Sequence, residues 1–163
     1  MNRKVLFMTC AGPLLSIGLA AAADEHVHQR PHEGDSHGAS KEVRQAVKFP
    51  AALLQRELAH MREHLAILGQ LQMALSKDAY GEAADLAEKN LGMSSLPKHG
   101  AQEVAKYMPQ GMRDMGTELH RAASRFAIEA TNAGATGDAR PAIAALADVT
   151  QRCVACHAAY RFR

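Results

Sequence analysis

Apolar residues recur at Leu54, Leu58, Met61, Leu65, Leu68 and Leu75, in steps of four, three, four, three and seven. That spacing is a helical a/d stripe, broken once at Gln72. It predicts a first helix from about Pro50, a good first-turn residue, to about Ser76. A shorter second helix spans Tyr80 to Leu91, with Ala84, Ala87 and Leu91 on one face and Gly92 as its stop. The connection 92–100 carries Pro97 and Gly100, and a stretch at about 101–107 ends near Pro109. A third helix presents Met112, Met115, Leu119, Ala122 and Phe126 at steps of three and four. Residues 132–138, "NAGATGD", read as a turn. Asp138 is placed to cap a fourth helix, with Pro141 in its first turn. Its inner stripe is Ile143, Leu146, Val149, Cys153 and His157, extended by Tyr160. No segment alternates with the period of a strand. Short loops make sequential helices antiparallel neighbours, so the expected fold is all-α, an antiparallel four-helix bundle spanning 41–163.

The first 40 residues lie outside this pattern. Arg3 and Lys4 precede an apolar run broken by Gly12 and Pro13, followed by small residues up to Ala23. That order predicts an export signal cleaved near Ala23. The run is too short and too interrupted for a spanning helix, so no stable membrane anchor is expected. Residues 24–40 mix His26, His28, His32 and His37 with acids, Gly and Pro and show no periodicity. They read as a flexible, solvated arm whose histidines would bind a divalent metal only weakly.

Cleavage changes the charge and cysteine arithmetic. The signal holds two of the 19 basic residues and none of the 17 acidic ones. The mature chain is therefore balanced, and nucleic acid is not an expected partner. Cys10 leaves with the signal, so only Cys153 and Cys156 remain. A chain without Trp has a core of Leu, Ala and Met, which a large apolar cofactor would help to fill.

Those two cysteines sit in "CVACH", residues 153–157, the Cys-x-x-Cys-His pattern of covalent c-type haem attachment. Thiols three apart on a helix lie on one side and reach the two vinyl groups of one haem. His157 then offers its imidazole to the iron. A zinc site would need a fourth ligand. A thioredoxin-like redox pair would need a βαβ setting. A structural disulfide would leave His157 without a role. One covalent haem c, held in the periplasm, is the expected cofactor.

The stretch "RCVACHAAYR", with Tyr160 and Arg161 after the motif, resembles the class II cytochromes c, the cytochrome c′ family, as does "YGEAA" at residues 80–84. The resemblance implies His157 as proximal iron ligand, a distal-face residue from the first helix, and pairing into a homodimer through the first two helices. Counting back from Ala83 and Ala84 places the distal position near "AHMREH". Met61 lies on the apolar stripe, and a thioether is buried without a hydrogen-bond partner, so Met61 is the expected distal ligand. His60 and His64 are the alternatives, on a flanking line with Leu53, Ile67 and Leu71, and an iron with no distal protein ligand is a third. Met112, Met115 and Phe126 are expected to line the haem pocket. Arg161, Arg56 and Arg62 are candidate propionate partners, and His99 and His120 are expected at the surface. The function expected is one-electron transfer to periplasmic redox proteins. An open distal face would instead make a five-coordinate binder of nitric oxide or carbon monoxide. A haem enzyme is disfavoured because no separate acid–base set stands out.

Overall fold

The computed structural model describes residues 42–163, so the export signal and the histidine-rich arm lie outside the described residues. The fold is mostly helical. Strand β1 (Gln45–Val47) precedes α1 (Ala51–Ser76) and α2 (Tyr80–Asn90). A 3₁₀ turn (Met93–Ser95) leads to the short α3 (Ala101–Ala105), then α4 (Gln110–Thr136), α5 (Arg140–Ala159) and strand β2 (Tyr160–Phe162). Pro50 and Pro109 stand immediately before α1 and α4. A proline ring pre-sets φ and removes an N–H that would have no helical partner there.

The third helix continues through Asn132 to Thr136, past the expected turn at 132–138. Ala133 is buried on the core face, which holds this last turn in place. The chain reverses at Gly137, whose φ of +75° is the left-handed conformation that suits glycine at a helix end. Asp138 Oδ1 accepts the backbone N–H of Arg140 at 3.1 Å, which satisfies one of the free donors opening α5.

α4 packs most extensively against α5 and α2, and α1 packs against α2. Alanine makes the closeness possible. Ala83, Ala87, Ala123, Ala130 and Ala142 are fully buried, and Phe126 and Leu71 supply most of the bulk between them. Ile143, expected inside, is 55% exposed, and the inner line of α5 is Ala142, Leu146 and Val149.

The face of α1 is rotated from the sequence expectation. Its tightly packed line is Leu53, Glu57, Ile67, Leu71 and Ala74, while Leu65 is 70% exposed. Both lines have heptad spacing. Ile67, Leu71 and Ala74 of the first line pack into the larger helical core, and the Leu and Met line is left facing a cavity.

A second, smaller core joins the two ends of this region. Val47, Phe49, Leu53, Val104 and Met112 are buried together, with Tyr160, Phe162 and Cys156 against them. It is closed by a parallel strand pair in which Gln45, Ala46 and Val47 face Tyr160, Arg161 and Phe162. These strands depart from the all-helical expectation, and Tyr160 begins β2 instead of extending α5. Phe49 meets Phe162 edge-on at 5.0 Å, which explains why three residues suffice to hold the pairing.

Candidate functional site

Between the two cores lies a cavity of about 670 Å³. α1 lines it with Leu58, His60, Met61, His64, Leu65 and Leu68, and α4 with Met112, Met115, Leu119 and His120. α5 contributes Arg152, Cys153, Cys156 and His157, and β2 adds Tyr160 and Arg161. Met61, His60, His64, Met112, Met115, Arg161 and the whole Cys-x-x-Cys-His segment are thus brought to one space. Phe126 is not. It is fully buried in the larger core with Leu71 and Leu146 and does not line the cavity. It lies two turns along α4 beyond Leu119, where α4 is already closed against its neighbours. Arg62 is exposed and away from the cavity, and Arg56 donates to Glu103 at 2.9 Å, bridging α1 and α3.

Cys153 and Cys156 are free thiols. Burial pushes both upward from the ordinary thiol value, which keeps them protonated and slows oxidation to a disulfide. The volume lies within the range of small-molecule and cofactor sites, and the lining is largely apolar with a few polar groups. These residues fit a covalently held macrocycle: two available thiols and an imidazole on one wall, apolar and thioether side chains on the others. Arg161 Nε is buried without a hydrogen-bond partner, 3.6 Å from Glu42 Oε2, so a guanidinium donor is also unspent at this site.

The polar end of the cavity is richer than the sequence suggested. His99 and His120, expected at the surface, are part-buried and line the cavity with His60 and His64. The connection 92–100 folds over this end and covers them. Their ring centroids are 4.9 Å apart for His60 and His99, 5.3 Å for His64 and His99, and 6.4 Å for both His64–His120 and His99–His120. His120 Nδ1 donates to the Leu91 carbonyl at 2.7 Å, and His99 Nε2 to the Asn90 carbonyl at 3.1 Å.

Glu57, which the sequence reading passed over, is 5% exposed and lies 3.6 Å from His60 Nδ1. Burial raises its carboxyl against the opposing pull of His60 and Arg56. His64 is pushed down to about 4 by burial and then by the neighbouring His99, His120 and His60, so its ring is neutral near pH 7. Burial also lowers His120. Among the described residues, no three His, Cys, Asp or Glu side chains already gather their donor atoms at metal-binding distances. The signal for Glu57 was available. Leu53, Glu57, His64, Ile67 and Leu71 repeat at four, seven, three and four, a second stripe as regular as the first.

No helix among the described residues is long and apolar enough to cross a membrane. Comparison of the chain with protein-family models, curated proteins and solved structures found no match.

Proposed function

We propose that this chain is an exported c-type cytochrome of the antiparallel four-helix-bundle class, which carries one electron at a time between periplasmic redox proteins. The observation that carries the reading is the meeting of Cys153, Cys156 and His157 from α5 with Met61 from α1 at one largely apolar cavity. A haem bound there supplies a one-electron iron couple.

The chain's own residues hold and tune that group. Cys153 and Cys156 would anchor it through thioethers, and His157 would offer a ring nitrogen to the iron. Met61 would offer a thioether from α1, and needs no hydrogen-bond partner when buried. Met112, Met115, Leu58 and Leu119 would exclude water from it. Arg161 is available to a propionate. His/Met ligation raises the reduction potential relative to two imidazoles, which suits a carrier. Met73, exposed on α1 away from the cavity, is an apolar side chain available to pairing of two copies through α1 and α2.

Optical spectra of the ferric and ferrous protein, with and without carbon monoxide, test the reading. The expected ferrous spectrum is low-spin and unmoved by carbon monoxide, and Met61→Ala makes it high-spin and ligand-binding. A wild-type spectrum that is already high-spin refutes Met61 as ligand and establishes the alternative, a five-coordinate binder of nitric oxide or carbon monoxide. Loss of low-spin character in His60→Ala or His64→Ala, but not in Met61→Ala, assigns a histidine instead. The haem reading itself fails if denatured protein carries no covalently bound haem.

A further inference from the structure

The four histidines at the polar end of the cavity have a use that neither the Cys-x-x-Cys-His segment nor Met61 requires. His60 and His64 stand one turn apart on α1, the i, i+4 spacing by which a single helix presents two imidazoles to one ion. His99 comes down from the covering connection between them, and His120 approaches from α4. Two of the four rings already give one nitrogen to a backbone carbonyl, His99 Nε2 to Asn90 and His120 Nδ1 to Leu91, and His60 Nδ1 lies 3.6 Å from Glu57 Oε1. Protein metal sites hold their histidines in this way, with the N–H given to a carboxylate or backbone carbonyl and the lone pair on the other nitrogen left for the metal.

One buried atom is otherwise unexplained: His64 Nε2 has no hydrogen-bond partner, whereas Glu57 Oε1 lies 3.6 Å from His60 Nδ1 and 3.7 Å from Arg56 Nε. Buried polar atoms are nearly always satisfied, so an orphan among four clustered imidazoles points to a missing occupant.

The spacing can be compared with what an ion demands. A metal–nitrogen bond of about 2.0–2.1 Å puts each ring centre about 3 Å from the ion, so two rings at a tetrahedral angle have centres about 5 Å apart. His60–His99 and His64–His99 fit, at 4.9 and 5.3 Å. His120, at 6.4 Å, has to move inward by about an ångström or act through a water. The nitrogens are not yet gathered around one point, so binding turns the rings about their side-chain torsions. An all-imidazole donor set selects zinc or copper(II) over magnesium or calcium.

We infer that His60, His64, His99 and His120 form a second metal site, for one divalent transition-metal ion of the zinc type, with Glu57 orienting His60. None of its four donors belongs to the Cys-x-x-Cys-His segment, but His60 and His64 line the same cavity, so the site rests on the reading that Met61 and not a histidine meets the iron.

The test uses the full exported protein with its covalent group in place, stripped with EDTA and titrated with zinc chloride by calorimetry. Metal analysis after dialysis gives the stoichiometry. The histidines of the N-terminal arm are a competing source, so His26, His28, His32 and His37 are replaced by Gln in the background protein. That background is expected to keep one tightly bound zinc. His99→Gln or His64→Gln weakens it by more than about 100-fold, and Glu57→Gln by about 10- to 100-fold, the range for an orienting partner. Zinc is also expected to raise the Tm of the background protein, reversibly with EDTA, a readout that needs no cavity variant to fold. Loss of all tight zinc binding in the arm-substituted background overturns the inference. So does a Tm unmoved by zinc, or zinc affinity unchanged in folded His99→Gln. Cysteine and iron ligation are monitored by the haem absorption spectrum, which is expected to stay unmoved by zinc.

Discussion

Phe126→Ala separates the two cores from the cavity more cleanly than any other single change. The side chain is 0% exposed, and its neighbours in the larger core include Ala123, Ala127 and Ala130 on its own helix and Ala83 and Ala87 on α2. Removing a buried ring loses its transfer free energy and leaves a void, typically about 3–5 kcal/mol together. The cost depends on how far neighbours can collapse. Methyl side chains cannot swing into the space, so the expected loss lies at the upper end, about 4–5 kcal/mol. Against a total stability of about 5–15 kcal/mol that is roughly a quarter or more. For a domain of this size it lowers Tm by more than about 10 °C. Urea unfolding followed by helical circular dichroism measures it, with the absorption spectrum of the proposed haem recorded on the same samples. The expected result is a lower midpoint with an unchanged slope and an unmoved spectrum, because Phe126 does not reach the cavity. A shifted spectrum with a stability loss below about 1 kcal/mol would refute this placement and return Phe126 to the pocket.

Other substitutions follow from the same geometry. Phe49→Ala, in the smaller core that includes Cys156 and Tyr160, is expected to cost about 3–5 kcal/mol and, unlike Phe126→Ala, to move the absorption spectrum as well. Gly137→Ala puts a side chain at φ +75° and is expected to lose about 1–2 kcal/mol in thermal unfolding. Gly69→Ala, mid-α1 with nothing within 4 Å of the new methyl, is expected to gain about 0.5–1 kcal/mol. Hydrogen bonds from the Arg140 side chain and backbone hold the Asp138 carboxyl down to about 2, from an ordinary 3.8. A carboxyl depressed by folding stabilises above its unfolded value and ceases to as pH falls through the folded one. Asp138→Asn is therefore expected to lower Tm at pH 7 and to match the wild type near pH 2.

The four long helices and most of their approximate ends were readable because a 3.6-residue period survives over any stretch of several turns, whereas the short α3 is a fifth helix that the count of four left out. The Pro50 and Pro109 starts follow from proline chemistry alone. The facing of α1 was not readable. Two lines on that helix share heptad spacing, and hydrophobicity favours the richer Leu and Met line for the interior. Only packing reveals that Ile67 and Leu71 join the larger core and Leu53 the smaller one, while Leu58, Met61 and Leu68 border a cavity. That Cys153, Cys156 and His157 face one space was readable because they lie within about one turn of a single helix. The histidine cluster was not. His99 lies in a connection without periodicity, and its position over α1 depends on how residues 92–100 cross the cavity mouth. The strand pair was hidden for a similar reason, since three residues carry no measurable alternation.

That strand pair has a consequence for the order in which the molecule assembles. Gln45 and Tyr160 lie at opposite ends of the described chain, and nearly every other residue sits in the loop that their pairing closes. Closure entropy grows slowly with loop length, about 0.6 kcal/mol per doubling, but it is offset only once the intervening helices have folded. The helices therefore come first, and the parallel pairing of Ala46 with Arg161 and Val47 with Phe162 comes last. Until then the end of α5 carrying His157 is untethered and the cavity is open beside β2. A bulky cofactor entering there meets an open door during folding, and the closing strands latch behind it.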